Sequence, residues 1–159
     1  MRLCLVGDVQ SIHIQRFASY LAYSNEVHLL THTAGSCNDT VVHDIGPYLP
    51  PTRIDYNTIR QLLRTVGRVK KAIKEVRPDI VHGHYLQDAA FFAARSGYHP
   101  LVVSAWGSDV LIHPFRSRAY RLMTKYVLKR ADRIHSVSRH LTEKLIELGA
   151  KKEKILTVP

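Results

Sequence analysis

The chain has 159 residues, enough for one domain with a sizeable core, and its 45% hydrophobic content is that of an ordinary globular protein. Its 23 Lys and Arg against 13 Asp and Glu give a formal net charge of +10, which directs attention to anionic partners. No apolar run is long enough to cross a bilayer, the N-terminus has no signal-peptide core, and two cysteines make no disulfide framework, so a cytosolic location is expected.

Strand-like and helix-like segments alternate from the first residues onward. A first strand is predicted over Arg2–Val6, with Cys4 as a small buried thiol. A helix over His13–Ser24 follows, carrying Ile14, Phe17, Ala18 and Leu21 on one face. Strands are predicted over Val27–Thr31 and, more weakly, Val41–Ile45, and the proline-rich stretch 46–56 reads as a loop. Helix Thr58–Val76 keeps an apolar period through Ile59, Leu62, Leu63, Val66, Val69, Ile73 and Val76, and Arg77-Pro78 ends it. Next come strand Asp79–His82, helix Asp88–Ser96 closed by Gly97, and strand Leu101–Ala105. A helix over Arg116–Arg130, strand Arg133–Val137, a helix capped by Ser138 and running to Leu148, and a last strand Lys154–Val158 complete the pattern. Such alternation implies an α/β fold with a doubly wound, mostly parallel sheet of about six to seven strands and helices on both faces. A strand with no helix after it fits one half of a larger protein.

Ligands of such sheets bind at the carboxyl ends of the strands, and polar residues collect there. Gly7-Asp8-Val9-Gln10-Ser11-Ile12-His13 joins the first strand to its helix. It lacks the glycines of a dinucleotide fingerprint, so no NAD site is expected, although the helix start can face an anion. His82 and His84 are two apart and share a face if their strand extends that far; without a third ligand they make no metal site. Trp106-Gly107-Ser108-Asp109 follows a buried strand: Gly107 permits close backbone approach, Asp109 can accept sugar hydroxyls, and Trp106 offers a face for a sugar ring. Ser138 and Arg139 close the next strand, the first as a helix cap and the second within reach of a phosphate.

The positive charge is concentrated. Residues 57–74 hold six Lys or Arg and no acid, and so do residues 110–131. Phe115, Leu122, Met123 and Tyr126 lie among the second set, a composition suited to an anionic lipid surface at about 1 kcal/mol per basic residue. No recognition-helix or RNA-binding signature is present, so nucleic acid is not expected as a partner.

The stretches LCLVGDVQSIHIQRFASYLA, RPDIVHGHYLQDAAFFAA, PLVVSAWGSDVL and ADRIHSVSRHLTEKLIELGAKKEKILTVP, in this order, resemble the N-terminal domain of group 1 glycosyltransferases. These are retaining enzymes of family 4 with the GT-B fold, in which two Rossmann-like domains face each other across a cleft. The resemblance implies transfer of a sugar from a nucleotide sugar to a hydroxyl of a glycan or lipid-linked acceptor, with no further cofactor and no metal. It implies an acceptor-side domain spanning residues 1–159, a second domain carrying most donor contacts, and no activity for this half alone. It places Asp109 and His84 at the reaction centre and Gly7, Asp8, Ser11, His13, Tyr85, Trp106, Gly107, Ser108, Ser138 and Arg139 around the substrates. The chain departs from the family at Trp106, where a histidine is usual. It also implies a peripheral position at the inner face of a membrane. A non-catalytic module that binds anionic glycolipid or a partner protein is the alternative.

Overall fold

A computed structural model describes residues 1–47 and 56–158. Seven strands form one all-parallel sheet: β1 (Arg2–Val6), β2 (Glu26–Thr31), β3 (Val41–Asp44), β4 (Ile80–His84), β5 (Leu101–Ala105), β6 (Arg133–Ser136) and β7 (Ile155–Thr157), in the spatial order β3-β2-β1-β4-β5-β6-β7. The helices between them are α1 (Ile12–Ala22), α2 (Tyr56–Val76), α3 (Ala89–Ser96), α4 (Ser108–Leu111), α5 (His113–Arg116), α6 (Arg118–Arg130) and α7 (Arg139–Glu147). The sheet is the expected doubly wound one. Most of the predicted loop 46–56 lies outside the described residues.

Two clusters of buried side chains account for this arrangement. Cys4, Val6, Leu30, Val81, Val103 and Ile134 point to one face, where α2, α3, α6 and α7 cover them. Leu3, Leu5, Val27 and Leu29 point to the other, where α1 supplies Ile14 and Ala18. The period of two along each strand separates the sets. Burial pushes the Cys4 thiol up to about 12, so it is an inert core group.

Most predicted boundaries move by a residue or two, and three of the differences have a clear physical cause. The fourth strand continues past His82 to His84, because Gly83 does not break it. A Cβ on Gly83 would stand 2.6 Å from Ala90 Cα, so glycine is what lets α3 lie against β4. The single helix predicted over Arg116–Arg130 is preceded by two four-residue helices. Ser117 divides the segment, its Oγ accepting Tyr120 N–H at 3.2 Å to start α6. The last strand is shorter than predicted, since Lys152–Lys154 forms a 3₁₀ turn before it. Ser138 caps α7 as expected, with Oγ accepting Leu141 N–H at 3.2 Å.

Candidate functional site

The strand order reverses between β1 and β4, so the crevice of this sheet opens at their carboxyl ends. A cavity of about 400 Å³ lies there, lined by Asp8, Ser11, Tyr85, Gln87, Asp88, His113, Arg116 and Tyr120. Asp8 leaves β1, Tyr85 to Asp88 leave β4, and His113 to Tyr120 come from the segment after β5. The volume falls in the range of roughly 300–1,000 Å³ typical of small-molecule sites.

Each wall has a local cause. Asp8 accepts Gln10 N–H at 2.9 Å and the Thr33 hydroxyl, which ties the loop after β1 to the loop after β2. Tyr85 adopts a left-handed φ of 62°. Its main chain bridges outward from there, donating to Ser104 O and accepting from Asp88 and Ala90 N–H, each at 3.2 Å. A non-glycine residue in that conformation costs about 1–3 kcal/mol and is concentrated at functional sites. Burial raises the Tyr85 phenol, and the Asp109 charge raises it further. Asp88 is pushed up by burial; nearby Asp8 raises it further, while His32 pulls it down. Asp88 Oδ1 is buried and has no hydrogen-bond partner among the described residues.

Asp109 does not face this cavity. It is 0% exposed, and its Oδ1 accepts Trp106 and Gly107 N–H at 3.0 and 2.9 Å while Oδ2 accepts Leu86 N–H at 3.2 Å. The carboxylate therefore joins the loop after β5 to the loop after β4, and both its oxygens are engaged by main-chain N–H groups. Burial raises its pKa, and the main-chain donors act against that rise. Gly107 has a φ of 142°, which an L side chain rarely adopts.

His84 is likewise enclosed, at 1% exposure, and neither ring nitrogen has a hydrogen-bond partner among the described residues. Because the strand continues, His82 and His84 do share a face; their rings stack at 4.3 Å beneath Phe17 of α1. His82 Nε2 lies 2.8 Å from Ser104 Oγ, which lies 3.0 Å from His135 Nδ1. Burial holds His82 down to about 3, His84 well below the usual range, and His135 below it to a lesser extent. Among the described residues no three His, Cys, Asp or Glu side chains converge as metal ligands.

Trp106 stacks on His13 at 4.6 Å and lies nearly parallel to His84 at 5.8 Å. His13 and Trp106, with Arg16, Phe17, Tyr20 and His135, line a second cavity of about 320 Å³ on the α1 side, and His84 lies beneath it without reaching it. The predicted residues thus divide. Asp8, Ser11 and Tyr85 meet in the crevice, and His13 and Trp106 meet beside α1. Gly7 lines neither cavity; it is buried at the end of β1 against Ile14 and His84, its N–H bonded to Leu30 O at 3.0 Å. Ser108 opens α4, and the exposed Ser138 and Arg139 open α7; none of the three lines either cavity. Sequence reasoning missed Gln87, Asp88, His113 and Tyr120 and gave Arg116 no site role. Gln87 and Asp88 had the signal of position, just after a strand that ends in polar residues, whereas His113, Arg116 and Tyr120 lie well past the end of β5 and had no such signal.

The model of the family described as glycosyl transferase 4-like matches residues 2–138. The chain belongs to that family. No curated protein sequence matches the chain. Among solved structures, HepE from Anabaena in complex with UDP-glucose is similar at a TM-score of 0.73 and 14% identity, over 99% of this chain and 43% of that one. The UDP-GlcNAc 2-epimerase from Methanocaldococcus jannaschii gives 0.65 and 11%, over 99% and 45%. Sucrose-phosphate synthase from Thermosynechococcus elongatus gives 0.69 and 15%, over 100% and 88%. At these identities the likeness is one of fold, shared by transferases and epimerases. This glycosyl transferase 4-like chain spans under half the length of the first two structures.

Proposed function

We propose that this chain is the acceptor-side domain of a retaining glycosyltransferase that moves a sugar from a nucleotide sugar to a hydroxyl of a glycan or lipid-linked acceptor. The observation that carries this reading is the 400 Å³ crevice at the β1–β4 switch point in a glycosyl transferase 4-like domain. In this reading a second domain of the same fold holds most of the nucleotide sugar. The crevice then orients the attacking hydroxyl while the leaving diphosphate departs from the same face. Catalysis of this kind rests on positioning and on stabilising phosphate charge rather than on a protein nucleophile. Asp109 serves as a positioning residue, since it fixes the two loops that form the crevice floor. No cofactor beyond the sugar nucleotide enters the scheme.

Amide NMR spectra of the chain titrated with UDP-glucose and with a panel of glycans test this. Glycans should shift amides of residues 8–13, 85–88 and 113–120, with no transfer by this chain alone. Turnover of a nucleotide sugar by the 159-residue chain, or nucleotide-sugar shifts centred on those amides with no glycan shifts, would refute it.

A lipid-linked acceptor is favoured by one further observation. Leu111, Ile112, Phe115 and Leu122 are exposed beside Arg116, Arg118, Arg121 and Lys125, close to the crevice mouth. No described helix is long and apolar enough to cross a membrane, so contact with lipid would be at the surface. This patch is also what a purely binding module for anionic glycolipid would use. Glycan shifts in the crevice distinguish the catalytic reading from that one.

A further inference from the structure

The two faces of the sheet are covered unequally. α2, α3, α6 and α7 pack on one face, and α1 covers the other. Beneath α1 the sheet is apolar on β1 and β2 and polar beyond them. His84, Ser104 and His135 stand in register across β4, β5 and β6, with His82 two residues before His84 on the same face. Phe17 of α1 meets the His82 and His84 rings edge-on, with centroids at 5.2 and 5.4 Å, and tilts over His135 at 5.9 Å. In the first turn of α1, His13 stacks on Trp106, which in turn lies over His84. One helix and one loop therefore roof the buried histidine pair.

Nothing beneath this roof balances a proton. Facing the pair are Ser104 from β5, His135 and, further back along β6, Arg133, and from α1 His13 and Arg16. These neighbours bring positive charge or none. An imidazolium at His82 or His84 would be a buried charge without a counter-ion, and burial holds both rings neutral.

The roof is loosely fastened. Of the eleven residues of α1 only Ile14 and Ala18 are buried, whereas α3 buries seven of its eight. Ser11 makes no side-chain cap bond to α1, the first turn holds no acid and the last turn no base. Tyr20 and Tyr23 stand out into solvent. A segment held by few buried contacts opens at lower cost than the whole fold.

We propose that α1 is an acid-released cover: it lifts from the sheet as a unit, and protonation of His82 and His84 favours the lifted state. Lifting removes Ser11 from the crevice and His13, Arg16, Phe17 and Tyr20 from the second cavity, so acid dismantles both cavities ahead of the fold. The device does not depend on which ligand the cavities take. With His82 at about 3 under the cover and near 6.5 in water, a change from pH 7.5 to 5.0 favours the lifted state about thirtyfold. His84 acts in the same direction.

Native-state hydrogen exchange of the chain at pH 7.5 and 5.0, with each rate corrected for the intrinsic effect of pH, tests this. Amides of residues 16–22 should exchange through an opening less costly than that of the β1, β4 and β5 amides at both pH values. Their opening constant should rise at least about tenfold on acidification, and His82→Gln, which keeps a polar tip for Ser104, should remove most of that rise. If α1 amides share the protection of the strand amides, α1 does not lift by itself and the proposal is overturned. A separate opening that acid leaves unchanged, or a rise that persists undiminished in His82→Gln, overturns it as well.

Discussion

Acid should destabilise this fold through His82, and the amount follows from its burial. His82 is 8% exposed, packed beneath Phe17 and bonded through Nε2 to Ser104. Burial, with a smaller contribution from His135, holds its pKa down to about 3. In the unfolded chain the same imidazole titrates near 6.5. The unfolded state therefore binds the proton first, and stability falls as pH drops from about 6.5 towards 3. Between pH 7.5 and pH 5 the native ring stays neutral while almost all unfolded rings become charged, which removes about 2 kcal/mol. His84 is also held well below the usual range by burial and acts in the same direction. Asp88 and Asp109 act oppositely, since a raised carboxyl favours the fold at low pH, so the total slope does not isolate the histidine. Comparison with His82→Gln does, because glutamine keeps a polar tip for Ser104 and cannot titrate. Urea unfolding of both proteins at pH 7.5 and 5.0 should show the wild type losing about 2 kcal/mol more than the variant over that interval. Equal losses would mean that His82 is solvated or charged in the native state, and the argument from burial would fail.

Gly83→Ala should cost about 2–3 kcal/mol in urea unfolding, because the new methyl group meets the Ala90 main chain at 2.6 Å and α3 must move. Asp109→Asn should cost about 2–4 kcal/mol, since one amide oxygen cannot accept all three main-chain donors and its NH₂ faces one of them; amide exchange at Leu86, Trp106 and Gly107 should quicken. Phe115→Ser with Leu122→Ser, or Arg121→Glu with Lys125→Glu, should weaken co-sedimentation with anionic vesicles at least about tenfold, at about 1 kcal/mol per basic residue, with neutral vesicles binding poorly throughout.

The fold was legible because its central strands are buried on both sides. Leu3–Val6, Leu29–Leu30 and Leu101–Ala105 read as continuous apolar runs, and the long amphipathic period of α2 could belong to nothing but a helix. The misread boundaries have local causes. Gly83 looks like punctuation in a sequence, yet its missing side chain serves a helix that lies above the strand. The α4–α5 region has Pro114 and Ser117 within a stretch of helix-forming residues, and tertiary packing of Val110 and Pro114 decides where each turn stops.

The site was legible in place and less so in roles, and Asp109 explains the difference. A carboxylate after a strand looks the same in sequence whether it faces a ligand or the main chain. What separates the two is the number of nearby N–H groups left unpaired by irregular backbone, and that is set by the fold of two loops distant in sequence. Here Trp106, Gly107 and Leu86 supply three such donors, and Asp109 satisfies them. Among the described residues the buried polar atoms without partners near the two cavities are on Gln87 and Asp88, in a turn whose letters carry no motif, and on His84 and Trp106, which the strand ends did single out. The role of a carboxylate after a strand is thus decided by which main-chain donors the neighbouring loops leave unpaired, and a sequence does not display those donors.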